Sequence, residues 1–152
     1  MNDAVDGILD TNTVILLPRI SDPATLPARP TITTITLAEL SVGPLVAAHD
    51  AERAARQAHV QQAEQDFDPL PFDAAAARAF GRVAAGLRAA GRKPKARAYD
   101  ALIAAVSVAS GLPLYTVNPD DFANIPELDL RPVPHPDAEP AESAVPAESA
   151  VP

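Results

Sequence analysis

The chain has no cysteine and no tryptophan, and its 152 residues include only four phenylalanines, two tyrosines and one methionine. Without cysteine there is no disulfide framework, no thiolate metal site and no thiol nucleophile. The histidines, His49, His59 and His135, are scattered and do not suggest a His-rich zinc site. No run of about 18 apolar residues occurs, so a membrane span is not expected. The chain also opens without the basic start and apolar stretch of a secretory signal, and the expected location is the cytoplasm. Basic residues are scarce: 12 Lys and Arg against 20 Asp and Glu leave a formal charge of -8, which at first argues against a phosphate-rich partner. Chemistry must therefore come from carboxylates, hydroxyls or amides.

Although 47% of the residues are hydrophobic, 32 of them are alanine, so a core must come mainly from 7 Ile, 14 Leu, 12 Val and 4 Phe. That suffices for one domain of ordinary size. Of the 17 prolines, six fall at Pro132, Pro134, Pro136, Pro140, Pro146 and Pro152, and from Pro140 the unit PAESAV occurs twice in succession. With no large side chain to bury and no base to balance Glu142 and Glu148, residues 134–152 read as a disordered acidic tail. The domain itself is expected over residues 1–133.

Within that domain, strand-like and helix-like signals alternate. Gly7-Ile8-Leu9-Asp10 suits a short buried strand ending in an acid. After a Pro-rich loop, the β-branched run 31–36 predicts a second strand, followed by a helix over 37–49 that Gly43-Pro44 interrupts. Helices are expected over 50–66, from an Asp73 cap through Ala90, and over 98–110, the last two closed by Gly91 and Gly111. Leu70-Pro71-Phe72 can only be an edge strand. Residues 112–117 and 128–133 complete the strands, and a short helical turn begins near Asp120 or Asp121. The alternation predicts an α/β fold: three layers, α/β/α, with a mostly parallel central sheet.

In such sheets ligands bind beyond the carboxyl ends of the strands. That rule gathers Asp10 after the first strand, Glu39 early in the following helix, Asp100 at the start of the apolar helix, and Asn118, Asp120 and Asp121 after a later strand. Crowded carboxylates raise one another's pKa unless a cation is present, and oxygen ligands without Cys or His select magnesium or manganese. Such an ion suits phosphodiester chemistry. Each acid also has a plainer reading: Asp100 as a first-turn acid, Asp10 as a turn residue, Glu39 as a solvated helix residue, and Asp120 and Asp121 as caps.

Four blocks taken in order resemble the PIN-domain ribonucleases, and within them the VapC-type toxins of bacterial toxin-antitoxin modules. The blocks are Ile8-Leu9-Asp10-Thr11-Asn12, Thr36-Leu37-Ala38-Glu39-Leu40 with Gly43, Asp100-Ala101-Leu102-Ile103-Ala104-Ala105, and Thr116-Val117-Asn118-Pro119-Asp120-Asp121-Phe122. The resemblance spans about residues 7–133, although Ala4-Val5-Asp6-Gly7 is a more polar lead-in than usual and leaves the length of strand one open. It implies a magnesium-dependent endoribonuclease, with manganese a substitute. Asp10 and Asp100 would be its chief metal-binding acids, and Glu39 would complete the site. For the fourth position, Asp121 ranks ahead of Asn118 and Asp120. Asn12 and Thr116 would orient Asp10 or a water. The resemblance further implies a homodimer and a VapB-type antitoxin that docks on the Ala-rich helices of residues 37–66, with a segment reaching the acids.

The overall charge conceals a basic window. Residues 74–99 contain no acid but hold seven of the 12 bases: Arg78, Arg82, Arg88, Arg92, Lys93, Lys95 and Arg97. Arg92, Lys93, Lys95 and Arg97 lie just before Asp100 and are the expected contacts for an RNA backbone, unless this is simply a solvated helix face. Tyr99 and Phe122 read as core or rim residues rather than stacking platforms. The competing reading is a catalytically silent PIN-like module that binds RNA or protein; a receiver-type phosphoacceptor would want paired acids after the first strand and a lysine after a late one, whereas Leu9-Asp10-Thr11 offers one acid and no lysine follows Lys95.

Overall fold

The computed structural model describes residues 5–93 and 97–138. Its elements are β1 (Asp6–Leu9), α1 (Thr11–Leu16), β2 (Arg29–Thr31), α2 (Thr34–Val42), α3 (Asp50–Asp66), α4 (Ala74–Ala89), α5 (Ala98–Ser110), β3 (Leu114–Thr116) and β4 (Leu130–Pro132). The sheet order is β2-β1-β3-β4, and every pairing is parallel. Strand periodicity sends neighbouring side chains to opposite faces. Ile8 and Leu114 join α4 and α5 in one core, together with Phe122 and Ile125. Leu9 and Tyr115 turn to the other face, where Val14 and Leu17 from α1 and the segment after it cover them. A third cluster, Ile32, Leu40, Val60 and Ala63, fastens α2 to α3. The three-layer α/β/α reading holds.

Local chemistry explains the helices. The Asp73 carboxylate accepts the Ala76 amide at 2.9 Å and starts α4, whose Ala76, Ala79, Val83 and Leu87 form one buried stripe. Small residues on this stripe let α4 lie close against Ala101, Ala104 and Ala105 of α5. Gly111 ends α5 at φ 72, a conformation in which any Cβ would be strained. Deleting a fully buried apolar side chain such as Ile8 or Leu114 should cost about 2–5 kcal/mol.

The structure corrects two expectations between residues 11 and 36. The supposed Pro-rich loop begins with α1, and the β-branched run 31–36 is mostly the start of a helix. Only Thr31 belongs to β2. The Thr33 hydroxyl accepts the Thr36 amide at 3.3 Å, so α2 starts at Thr34. Threonine has strand propensity, but its hydroxyl can also satisfy a free amide at a helix start, and here the cap wins. The edge strand around Leu70 shrinks to one parallel bridge to Thr33. Helix α3 and helix α5 span the expected residues.

The polar lead-in is accommodated too. Asp6 and Arg29 face each other across β1 and β2 and form an ion pair. At Gly7, a Cβ would come within 2.5 Å of the Tyr115 ring, so only glycine lets that ring lie on β1. At the other end, Val133 is buried and Asp137 pairs with Arg19, four residues past the boundary expected at 133. The PAESAV repeats lie outside the described residues.

Candidate active site

Parallel strands put all their carboxyl ends on one edge. From β1 the chain moves outward to β2, whereas from β3 it moves the other way to β4, so the crevice of the sheet opens between β1 and β3. Asp10 follows β1 there as the N-cap of α1, and its side chain is almost fully buried, with the residue 3% exposed.

Two threonines hold this carboxylate. The Thr13 hydroxyl donates to Asp10 Oδ1, and the Thr13 amide reaches the same oxygen at 3.3 Å. The Thr116 hydroxyl donates to Oδ2 at 3.0 Å. Each hydroxyl in turn accepts a backbone amide from the end of β3: Val117 N–H to Thr13 Oγ1 at 3.1 Å, and Asn118 N–H to Thr116 Oγ1 at 2.9 Å. With its acceptor side engaged, each hydroxyl points its proton at the carboxylate. Burial raises the Asp10 pKa, and these donors oppose the rise. Oδ1 accepts two hydrogen bonds and Oδ2 only one, so Oδ2 retains a lone pair for a further partner.

Glu39 is anchored from the next residue along. The Thr11 hydroxyl lies 2.6 Å from Glu39 Oε1 and 3.0 Å from Thr36 Oγ1, so the start of α1 ties the second acid to the first. Asp100 comes from the first turn of α5, which runs back toward β3 and therefore begins at the same edge. Burial, then the neighbouring charges of Asp121, Asp10 and Glu39, push its pKa up to about 6, against a smaller lowering by Arg97. The other three predicted acids thus all act electrostatically on Asp100.

Asp121 lies in a 3-10 turn, Pro119–Phe122, opposite Arg97, whose guanidinium bonds Asp121 and comes within 3.8 Å of Asp100 Oδ2. Asp120 is exposed, and Asn118 contributes its amide to Thr116 rather than a side-chain cap. Asn12 is exposed on α1, and the hydrogen bonds to Asp10 come from Thr13 and Thr116 instead. Sequence reasoning missed Thr11 and Thr13. The signal was Asp10 followed by a hydroxyl three residues later, the spacing of a helix-capping pair.

A cleft of about 410 Å³ opens beside the acids, and Arg92, Lys93, Arg97, Asp100 and Asp121 line it with Leu87 and Ile125. Three bases of the basic stretch and two of the acids, Asp100 and Asp121, therefore share one cavity, with Lys95 outside the described residues. Arg92 is engaged: its guanidinium donates to the carbonyls of Ala123 at 3.0 Å and Asp120 at 3.3 Å, pinning the turn that carries Asp121. Arg82, farther along the basic window, pairs with Glu127. Phe122 is core, whereas Tyr99 is 59% exposed.

The donor set tests the implied metal. Four carboxylates, two of them, Asp10 and Asp100, with raised proton affinity, and no soft ligand fit a hard divalent cation. Among the described residues, however, no three acids form a ready-made cage. The Arg97 guanidinium between Asp121 and Asp100 supplies positive charge in this arrangement.

Comparison with known proteins agrees with the fold. The PIN domain family matches residues 8–128. Ribonuclease VapC5 of Mycobacterium tuberculosis is 41% identical over 119 residues, covering 77% of this chain and 85% of that protein. Ribonuclease VapC8 of the same species is 34% identical over 101 residues, covering 66% and 89%. Among solved structures, a VapBC-5 toxin-antitoxin structure from Mycobacterium tuberculosis superposes with a TM-score of 0.70 at 35% identity, over 85% of this chain and 99% of that one. A parallel sheet carrying acids at one edge, matched along nearly the whole described domain, makes this chain a member of the PIN-domain family, in its VapC group.

Proposed function

We propose that this protein is a metal-dependent endoribonuclease, the toxin of a VapBC-type toxin-antitoxin pair, acting in the cytoplasm. The observation that carries the reading is Asp10, buried at the crevice with both oxygens held by oriented hydroxyls and facing the raised-pKa Asp100. A structural acid has no need of a second carboxylate that its own field destabilises.

Asp10 and Asp100 would hold magnesium, or manganese in its place, with Glu39 and Asp121 completing the site. Bound there, the ion supplies charge neutralisation at a phosphate and acidifies water. The protein's own groups do the rest. Thr13 and Thr116 favour the ionised form of Asp10 against its burial and aim it, and Thr11 sets Glu39. Glu39 or Asp121 would take a proton from the attacking water as its oxygen bonds to phosphorus in line with the departing ribose oxygen, whose P–O bond breaks and which takes up a proton from solvent. Lys93 and the other cleft bases steer the RNA backbone to Asp100, a local positive field within a negatively charged chain.

The partner reading rests on the names of related structures, which are VapBC complexes, and on apolar surface. Val42, Leu45 and Val46 are exposed at the end of α2 and the turn after it, within the 37–66 region expected to dock an antitoxin or a second copy. Among the described residues no helix is long and apolar enough to cross a membrane.

RNA cleavage by the purified protein with magnesium or manganese, compared with Asp100→Asn, tests the reading. Cleavage lost in the variant and with chelator supports the nuclease. Equal behaviour of both proteins, with no cutting by either, leaves the silent binding module.

A further inference from the structure

Arg97 occupies an unusual position for a base in a nucleic-acid cleft. Its guanidinium is turned away from solvent phosphate and toward the acids, bonded to Asp121 and 3.8 Å from Asp100. Among the described residues its side-chain partners are these two acids. As the N-cap residue of α5 it makes no side-chain capping bond, and the turn bearing Asp121 is pinned separately by Arg92. We propose that Arg97 is the resident counter-ion of Asp100 and Asp121, which a divalent cation must displace, so that this one side chain sets how tightly the site takes its metal. The inference rests on the metal-dependent reading above.

The charges explain why the exchange is possible. Asp10, Glu39, Asp100 and Asp121 repel one another, and the field at Asp100 is the sum of three neighbouring acids against one arginine. One guanidinium neutralises only part of that cluster. A divalent ion brings twice the charge and binds carboxylate oxygens directly, but it must compete for the oxygens Arg97 already engages. Both side chains of the Arg97–Asp121 pair are partly exposed, at 45% and 29%, so the pair is weak enough to open. A displaced Arg97 stays on the cleft wall, its charge released to a phosphate at the moment the ion arrives. Loading with metal and readiness for RNA would then be one event.

Manganese binding to the full-length protein without RNA, followed by the EPR signal of free Mn2+, tests this. Arg97→Gln is expected to bind Mn2+ about two- to fivefold more tightly than the parent. Arg97→Lys keeps the charge and should stay closer to the parent. Lys93→Gln, which takes one charge from the same cleft without touching the bridge, should change affinity less than Arg97→Gln. Thermal melts check that the variants fold. A second measurement needs no variant to be stable: on magnesium addition to 15N-arginine-labelled parent protein, one guanidinium signal should shift as Arg97 leaves the acids. Parent binding with unchanged or weaker affinity in Arg97→Gln, or with no arginine signal moving, overturns the counter-ion role and leaves the metal reading intact. If the parent protein neither binds Mn2+ nor cleaves RNA, the metal-dependent reading itself fails and the inference falls with it.

Discussion

Thr116 and Asp10 stand 106 positions apart in the chain and meet at 3.0 Å, hydroxyl to carboxylate, across the seam between β3 and β1. The same hydroxyl accepts the Asn118 amide, so its direction is fixed by backbone rather than by chance rotation. Thr116→Val should therefore remove a donor from a buried carboxylate and orphan an amide, at a cost of about 1–3 kcal/mol. Thr116→Ser should lose far less. Denaturant unfolding measures the first effect, and RNA cleavage by the folded variants measures how far Asp10 depends on this partner.

Asp100 should make the metal-free protein pH-sensitive. Its folded pKa of about 6 lies above its ordinary value of 3.8, so the folded state holds the proton more tightly. Between those values the native protein binds more protons than the unfolded chain, and stability falls as pH rises through the window. Below it there is no penalty; above it the penalty is complete. Asp10, raised in the same direction, adds to this trend. In chelator, melting temperature should drop from about pH 4 to about pH 6, and Asp100→Asn should flatten that slope and melt higher at neutral pH.

Divalent ions should reverse the penalty. A ligand that binds only the folded state stabilises it by mass action, about 2.7 kcal/mol at a hundredfold excess over Kd. Magnesium or manganese should raise the melting temperature of the parent protein at neutral pH, and Asp100→Asn should lose most of that gain. An equal rise in both proteins would point to binding elsewhere.

Lys93 tests the substrate path. It lines the cleft beside Asp100, and Lys93→Ala should weaken RNA binding evenly across sequences and reduce the salt slope by about one. Affinity measured at several salt concentrations, with a non-cleaving variant, decides it.

Gly7→Ala probes the fold beneath the site. The added methyl meets the Tyr115 ring at 2.5 Å within a packed strand pair, so a loss of about 1–3 kcal/mol is expected. Thermal denaturation is the measurement.

Most of the fold was legible because its signals are local. Asp73 and Gly111 bracket helices by capping chemistry, and α3 and α5 begin and end where the sequence pattern placed them. The run 31–36 misled because a β-branched threonine can serve a strand or cap a helix, and propensity does not choose between them. Of the site, the acids were legible as residue types at strand ends, whereas Thr11 and Thr13 were not, since their contacts with Glu39 and Asp10 depend on how α1 sits against α2 and β3.

By itself the sequence determined the chemistry available: no thiol, few histidines, and carboxylates at the ends of strands, which leaves hard-cation and acid-base work. It also determined that the negative average hides a basic stretch. Only the tertiary structure decided that Asp10, Glu39, Asp100 and Asp121 share one field, and that Arg97 faces those acids while Arg92 holds a turn. The physical reason is distance. Composition counts charges, but a carboxylate's pKa and a guanidinium's partner depend on separations of a few ångströms, and the parallel crossovers of the sheet set those separations.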